Sequence, residues 1–152
     1  MATISQTVVI DCTPEALYDY VTQPWRWHEW HPNSLCAEAS VSILRTGDTF
    51  TETICVEPLS PLPIKLERHT RYRVKQAIAH TAWTVEGKMR DGWLQIDYRF
   101  EASGNQTRFS RTLSYQTRGL SLILMPLLRR RMQGMSARAL ENLQTKMRGR
   151  LS

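Results

Sequence analysis

The first ten residues are rich in β-branched side chains, and TISQTVVI at 3–10 reads as a strand. Thr13-Pro14-Glu15 then supplies a helix start, with Thr13 as N-cap and Pro14 as first helical residue. In PEALYDYVT, Leu17, Tyr18 and Val21 recur at three- and four-residue spacing, which predicts a short amphipathic helix. Gln23-Pro24 ends it, because the residue before a proline avoids the α region. PWRWHEW predicts a second short helix, ended by His31-Pro32 for the same reason. From about Leu35 to Thr117 the pattern changes to period two. FTETICV, IKLERHTRYRV, HTAWTVEGK, GWLQIDYRFEA and QTRFSRTLSYQT all alternate. Turn signals separate them at Thr46-Gly47-Asp48, PLSPLP (58–63), Arg90-Asp91-Gly92 and Ser103-Gly104-Asn105. Short links between alternating segments predict antiparallel neighbours, hence a meander. One long helix, about Ser121 to Arg148, closes the chain with a single stripe of Leu124, Leu128, Met132, Met135, Ala139, Leu143 and Met147.

Strand, two short helices, about six strands and a long helix make an α+β protein. With 152 residues and no repeat, linker or low-complexity segment, residues 1–152 form a single domain. A sheet of that size with one long helix must curl around the helix to hide its apolar face. Between a strongly curved sheet and one helix the geometry predicts a gap lined by aromatic and aliphatic residues.

Charge changes the picture only at one end. Of the 20 Lys and Arg, eight lie from Arg118 onward, where Glu141 is the one acid, so that segment carries +7 and the rest −1. The basicity belongs to the terminal helix, whereas a nucleic-acid surface normally spreads it over a face or groove. The run RRR at 129–131 reads as the solvated side of an amphipathic helix. A weak contact with an anionic membrane stands as the alternative. No interleaved surface aromatics support a nucleic-acid partner. GLSLILMPLL at 119–128 is too short to span a bilayer, and MATISQTVVID lacks the basic and apolar regions of a signal peptide. Cys12, Cys36 and Cys55 lack CxxC spacing and read as reduced, buried packing residues in a cytoplasmic setting.

Two blocks, VVIDCTPEALYDYVTQPWRWHEWHP at 8–32 and GNQTRFSRTLSY at 104–115, together with the long terminal helix, resemble the START-like superfamily (SRPBCC, Bet v 1-like). Within it the chain is similar to the polyketide cyclase/dehydrase-like group. The resemblance implies a helix-grip fold: a curved antiparallel sheet of about seven strands around the C-terminal helix, enclosing a deep cavity. Relatives hold lipids, sterols, quinones, polyketides and plant hormones there, and a few are cyclases or hydrolases. Fold membership argues for a pocket and establishes no reaction.

Candidate chemistry concentrates in PWRWHEWHP at 24–32. His28 and His31 are three apart, one short of the HExxH spacing, and no Cys or Asp stands near them in sequence, so no metal site is assigned. Trp27 and Trp30 share a helical face and read as core that partly lines a pocket. In the strands, alternation places Glu52 with Phe50, Ile54 and Val56. It places Arg68 and Thr70 with Ile64, Leu66, Tyr72 and Val74, and Arg111 with Phe109, Leu113 and Tyr115. Buried charges must pair or meet a ligand, unless a bulge turns them to the solvent edge. Trp83 and Val85, then Leu94, Ile96, Tyr98 and Phe100, add core or cavity wall. Met132 and Met135 suit an adaptable wall, and Gly134 between them either allows a close approach or is merely tolerated. No nucleophile elbow, P-loop or dinucleotide fingerprint is present, and no cofactor is assigned. The leading reading is a binding protein for a small hydrophobic or amphipathic molecule, with Glu52, Arg68 or Arg111 orienting its polar end. The second is an enzyme of cyclase, dehydrase or hydrolase type using Glu52, Tyr72 or Tyr98 in the same cavity.

Overall fold

The computed structural model describes residues 2–56, 66–90, 92–118 and 125–151. The expected turn at 58–63, Ile64, Asp91 and Leu124 lie outside the described residues, as do the side chains of Val56, Leu66 and Leu128.

β1 (Ala2–Ile10) leads into α1 (Pro14–Val21). The expected cap is formed: Thr13 Oγ1 accepts a hydrogen bond from the Ala16 N–H at 3.3 Å, and Pro14 opens the helix, where its missing N–H breaks no helical bond. Leu17, Tyr20 and Val21 are buried, while Tyr18 is half-buried with its ring edge-on to Phe100 and His80. The tryptophan segment forms η1 (Pro24–Glu29), a 3-10 helix, the form that suits so short a stretch. Among the described residues, six strands follow: β2 (Ser34–Ala39), β3 (Thr49–Val56), β4 (Leu66–Ile78), β5 (Ala82–Met89), β6 (Gly92–Ser103) and β7 (Gln106–Thr117). His80 and Thr81, read from sequence as the start of a strand, instead make the β4–β5 turn, with His80 at a φ of 64°. α2 (Met125–Leu151) ends the described chain, with Pro126 in its first turn.

The seven strands form one antiparallel sheet in the order β1-β7-β6-β5-β4-β3-β2. The meander predicted from alternation is present, and β1 folds back beside β7. Two register shifts bend it, one in β2 between Ser34 and Cys36 and one in β4 between Val74 and Gln76, as bulges do. The first has a direct consequence: with Leu35 as the extra residue, Ser34 and Ala37 are both buried although they are three apart. It also overturns part of the cysteine reading, since Cys36 is exposed and Cys55 half-buried, leaving Cys12 alone as a buried packing thiol. Burial pushes the Cys12 thiol up to about 11, with Asp11 adding to it.

Side chains on the concave face line up in rows across the sheet. Phe50, Tyr72, Gly87, Leu94 and Tyr115 form one; Val74, Val85, Ile96, Leu113 and Ile4 the next; Trp83, Tyr98 and Arg111 a third. Tyr72, Phe50, Trp83 and Tyr98 stack successively, at centroid separations of 4.7, 6.2 and 5.4 Å. Trp27 stands edge-on to the first three. Aromatic contacts of this geometry add to the area they bury.

On α2, Ser136, Ala139, Leu140, Leu143 and Met147 are buried. At about 100° per residue, Met132 lies near the edge of that stripe and Met135 further round. Met132 is accordingly packed against the core, whereas Met135 is half-buried outside it. Side-chain contacts fasten the helix: Arg111 Nη1 to Ser136 Oγ (2.8 Å), Asn142 Nδ2 to Trp30 O (3.0 Å), Gln144 Nε2 to Val9 O (3.0 Å), and Arg148 Nε to Asp11 Oδ2 (3.4 Å).

Candidate functional site

Alternation along β3, β4, β6 and β7 brings Glu52, Tyr72, Tyr98 and Arg111 to the concave face, and all four are buried. Glu52 and Arg111 are each only 6 % exposed. The carboxylate of Glu52 is fully engaged: Ser34 Oγ donates to Oε2 at 2.7 Å and Tyr72 OH to Oε1 at 3.1 Å. Burial pushes the Glu52 carboxyl up to about 7, against the opposing hydrogen bonds of Ser34 and Tyr72 and the charge of Arg111. A glycine makes the Tyr72 bond available. A Cβ on Gly87 would lie 2.7 Å from Thr70 Cγ2 and 2.7 Å from Tyr72 Cε1, so the bare backbone leaves room for the tyrosine ring.

Arg111 is the electrostatic centre of this interior. Its Nη1 donates to Ser136 on α2, a side-chain hydrogen bond links it to Tyr98, and its buried Nε has no partner among the described residues. Burial raises the Tyr98 phenol to about 12 while Arg111 opposes the shift. Burial raises Tyr72 well above its ordinary range, and the Glu52 carboxylate reinforces this. His31 closes the group from the end of η1: burial and then the Arg111 charge push its imidazole down to about 3. The Asn33 N–H donates to His31 Nδ1 at 3.2 Å, so the neutral ring carries its proton on Nε2. No ion pair joins Glu52 to Arg111 among the described residues, which have Arg26–Glu29, Lys75–Glu86 and Arg148–Asp11 instead. Gln6 Oε1, Thr70 Oγ1, Tyr115 OH and the indole N–H groups of Trp30 and Trp83 are likewise buried without a partner among the described residues.

The remaining expected residues divide by position. Trp27, Phe50, Trp83 and Phe100 are buried in the aromatic core, and Tyr115 is buried near the Arg129 end of α2. Arg68 is half-buried opposite Ile54, apart from the Glu52 cluster, and has an interaction of its own. Met135 borders a groove of about 590 Å³ along α2, with Arg130, Arg131, Gly134, Arg138 and Glu141. Gly134 is exposed with open space around its α-carbon, so no close approach depends on it. Arg129, Arg130, Arg138 and Arg148 are exposed.

The tryptophan stretch is mainly a joint. Tyr20 OH and Arg26 both donate to Glu29, and Trp27 Nε1 donates to Val21 O at 2.7 Å, binding η1 to α1. His28 is exposed, and no group of three His, Cys, Asp or Glu side chains among the described residues is placed to hold a metal ion. Ser34, His31 and Ser136 belong to the site without having been singled out for it. Ser136 had a signal, being a polar residue four positions after Met132 on the apolar stripe. Ser34 had none, because its inward direction depends on the β2 bulge. Among the described residues no helix is long and apolar enough to cross a membrane.

The sequence profile of a family described as polyketide cyclase / dehydrase and lipid transport matches residues 1–148. No curated protein sequence matches. Among solved structures, TTHA0849 from Thermus thermophilus superposes with a TM-score of 0.75 at 15% identity, covering 99% of this chain and 100% of that one. The Zhui aromatase/cyclase from Streptomyces sp. R1128 gives 0.75 at 10% identity, covering 99% and 96%. A START superfamily protein from Mycobacterium smegmatis gives 0.69 at 10% identity, covering 95% and 97%. At these identities the likeness is one of fold: a curved seven-stranded antiparallel sheet with a C-terminal helix.

Proposed function

Because the chain belongs to the polyketide cyclase/dehydrase and lipid transport family of the START-like superfamily, we propose that it binds a small, mostly apolar molecule between the concave face of its sheet and α2. One observation carries this reading. Gln6 Oε1, Thr70 Oγ1, Arg111 Nε, Tyr115 OH, Trp30 Nε1 and Trp83 Nε1 are buried with no partner among the described residues. Buried polar groups are nearly always satisfied, and an orphaned group costs about 1–3 kcal/mol. Six in one molecule fit an interior built to meet a ligand and its water. In this reading Trp27, Phe50, Trp83, Tyr98, Phe100 and Met132 supply apolar wall, and Glu52 and Arg111 hold the polar end. Apolar burial provides most of the affinity, at about 25 cal/mol per Å². Native mass spectrometry of the freshly purified protein, followed by denaturing extraction, tests it. The expected result is a retained small mass that leaves on unfolding. A protein that carries nothing and gains no thermal stability from any of a series of amphipathic compounds would overturn it.

A second reading rests on a different observation. A carboxyl lifted to about 7 and hydrogen-bonded to a buried tyrosine is suited to general acid–base work at neutral pH. Chemistry of cyclase or dehydrase type on the bound molecule would then use Glu52 to move a proton, with Tyr72 orienting it. Glu52→Gln separates the two: it abolishes turnover while leaving binding intact if Glu52 is catalytic, and alters binding alone if the protein is a carrier.

A further inference from the structure

The geometry points to an amphipathic acid as the molecule held, with its carboxylate received by the Nε edge of Arg111; this deepens the interior-binding reading and rests on it. Arg111 lies in the middle of β7, between Tyr98 on β6 and Gln6 on β1, and is buried. A guanidinium stays charged at every pH a protein survives. A buried charge without a counter-charge is strongly disfavoured, yet no carboxylate of the described residues reaches ion-pair distance of this one.

The groups around Arg111 do not neutralise it. Glu52 on β3 has both oxygens bonded to Ser34 and Tyr72, and near neutral pH it is only partly ionised. Tyr72 on β4 and Tyr98 on β6 are held in their neutral phenol forms. His31, after η1, is held neutral as well. From α2, Ser136 offers an uncharged hydroxyl. The cluster therefore keeps a net positive charge inside an aromatic interior.

The hydrogen bonds already made leave a defined place for an anion. Ser136 holds Nη1 from the helix side, and a side-chain hydrogen bond to Tyr98 holds the guanidinium from the sheet. Nε is buried and has no partner among the described residues. Nε and the neighbouring Nη nitrogen form the side edge that meets a carboxylate in a two-point contact. A single charge matches a monoanion better than a dianion. The stacked rings of Phe50, Trp83 and Tyr98, a row that meets Arg111 through Tyr98, suit the apolar remainder of an acid.

Isothermal titration of the full chain at pH 6.5 with dodecanoate, methyl dodecanoate and 1-dodecanol tests this, with 2-naphthoate and its methyl ester as an aromatic pair. The acids are expected to bind at least tenfold more tightly than their esters. In Arg111→Gln that preference falls below threefold, and Arg111→Lys restores part of it. Nitrogen-15 spectra give an independent readout, because the Arg111 Nε–H signal moves downfield with acid and stays in place with ester. Equal affinity for acid and ester in the wild-type protein overturns the anion site and leaves interior binding standing. Failure of acids, esters and alcohol alike removes both. The wild-type comparison decides even where an Arg111 variant does not fold.

Discussion

Glu52 and His31 respond to pH in opposite directions from opposite sides of one cluster. The Glu52 value lies near 7, above the ordinary 4.5, so the stability it contributes is complete below about pH 4.5 and is lost as pH rises to about 7. His31 is pushed down to about 3 from 6.5, so its contribution is complete above about 6.5 and is lost as pH falls toward 3. His31 keeps some solvent contact, which softens its share. Between about 4.5 and 6.5 the two slopes oppose each other, and wild-type stability changes little. Glu52→Gln keeps an acceptor for one of Ser34 and Tyr72, offers the other hydroxyl oxygen an N–H donor, and removes the titration. Urea unfolding from pH 4.5 to 8.5 should show its stability rising with pH across that window. At pH 8 the variant should be the more stable protein, by about 1–3 kcal/mol. Parallel profiles for the two proteins would show that Glu52 ionises like an exposed carboxylate. Gly87 is the other decisive position. Gly87→Ala drives a methyl into Thr70 and the Tyr72 ring, and urea unfolding should show a loss of about 1–3 kcal/mol.

The elements differ in how openly their sequences disclose them. Strict alternation put Glu52, Tyr72, Tyr98 and Arg111 on inner faces, and the strands carry them there because period two allows no other arrangement once the apolar partners are buried. The helical stripe was equally plain at Ala139, Leu143 and Met147, whose burial follows from 3.6-residue spacing. Local exceptions were not legible. The bulge at Leu35 turns Ser34 toward Glu52, and a bulge leaves no mark in hydrophobic pattern. Sequence left Glu52 to pair with an arginine, to meet a ligand or to reach the solvent edge through a bulge. It is buried and bonded to Ser34 and Tyr72, because pairing depends on side-chain reach across strands. Met135 was placed with Met132 by spacing of three, although that step carries it about 60° around the helix. The exposed arginines of α2 are a solvated face at this scale. Arg130→Gln with Arg138→Gln should change stability by less than about 0.5 kcal/mol by urea unfolding and leave interior ligand affinity unchanged. A salt-sensitive loss of binding to anionic vesicles in that variant would instead assign the face to a membrane.

For the molecule as a whole, the resemblance to the family rested on the blocks at 8–32 and 104–115 together with the long terminal helix. The order of elements implied a sheet curled around that helix to bury its inner face. The identity of what lies against that face was not readable, since core aromatics and cavity aromatics have the same composition and spacing. The five tryptophans separate these roles experimentally. Trp30 and Trp83 carry buried, unpartnered indole N–H groups; Trp27 is bonded to Val21 O; Trp25 and Trp93 are half-buried, Trp25 beside a groove at β2. The most direct measurement is a nitrogen-15 titration of the indole signals, assigned by Trp→Phe variants, with the co-purified compound or dodecanoate. Interior binding predicts that the Trp30 and Trp83 signals move and saturate together while those of Trp25 and Trp93 hold still. Saturable binding that leaves Trp30 and Trp83 unmoved, or moves Trp25 or Trp93 in their place, would contradict it.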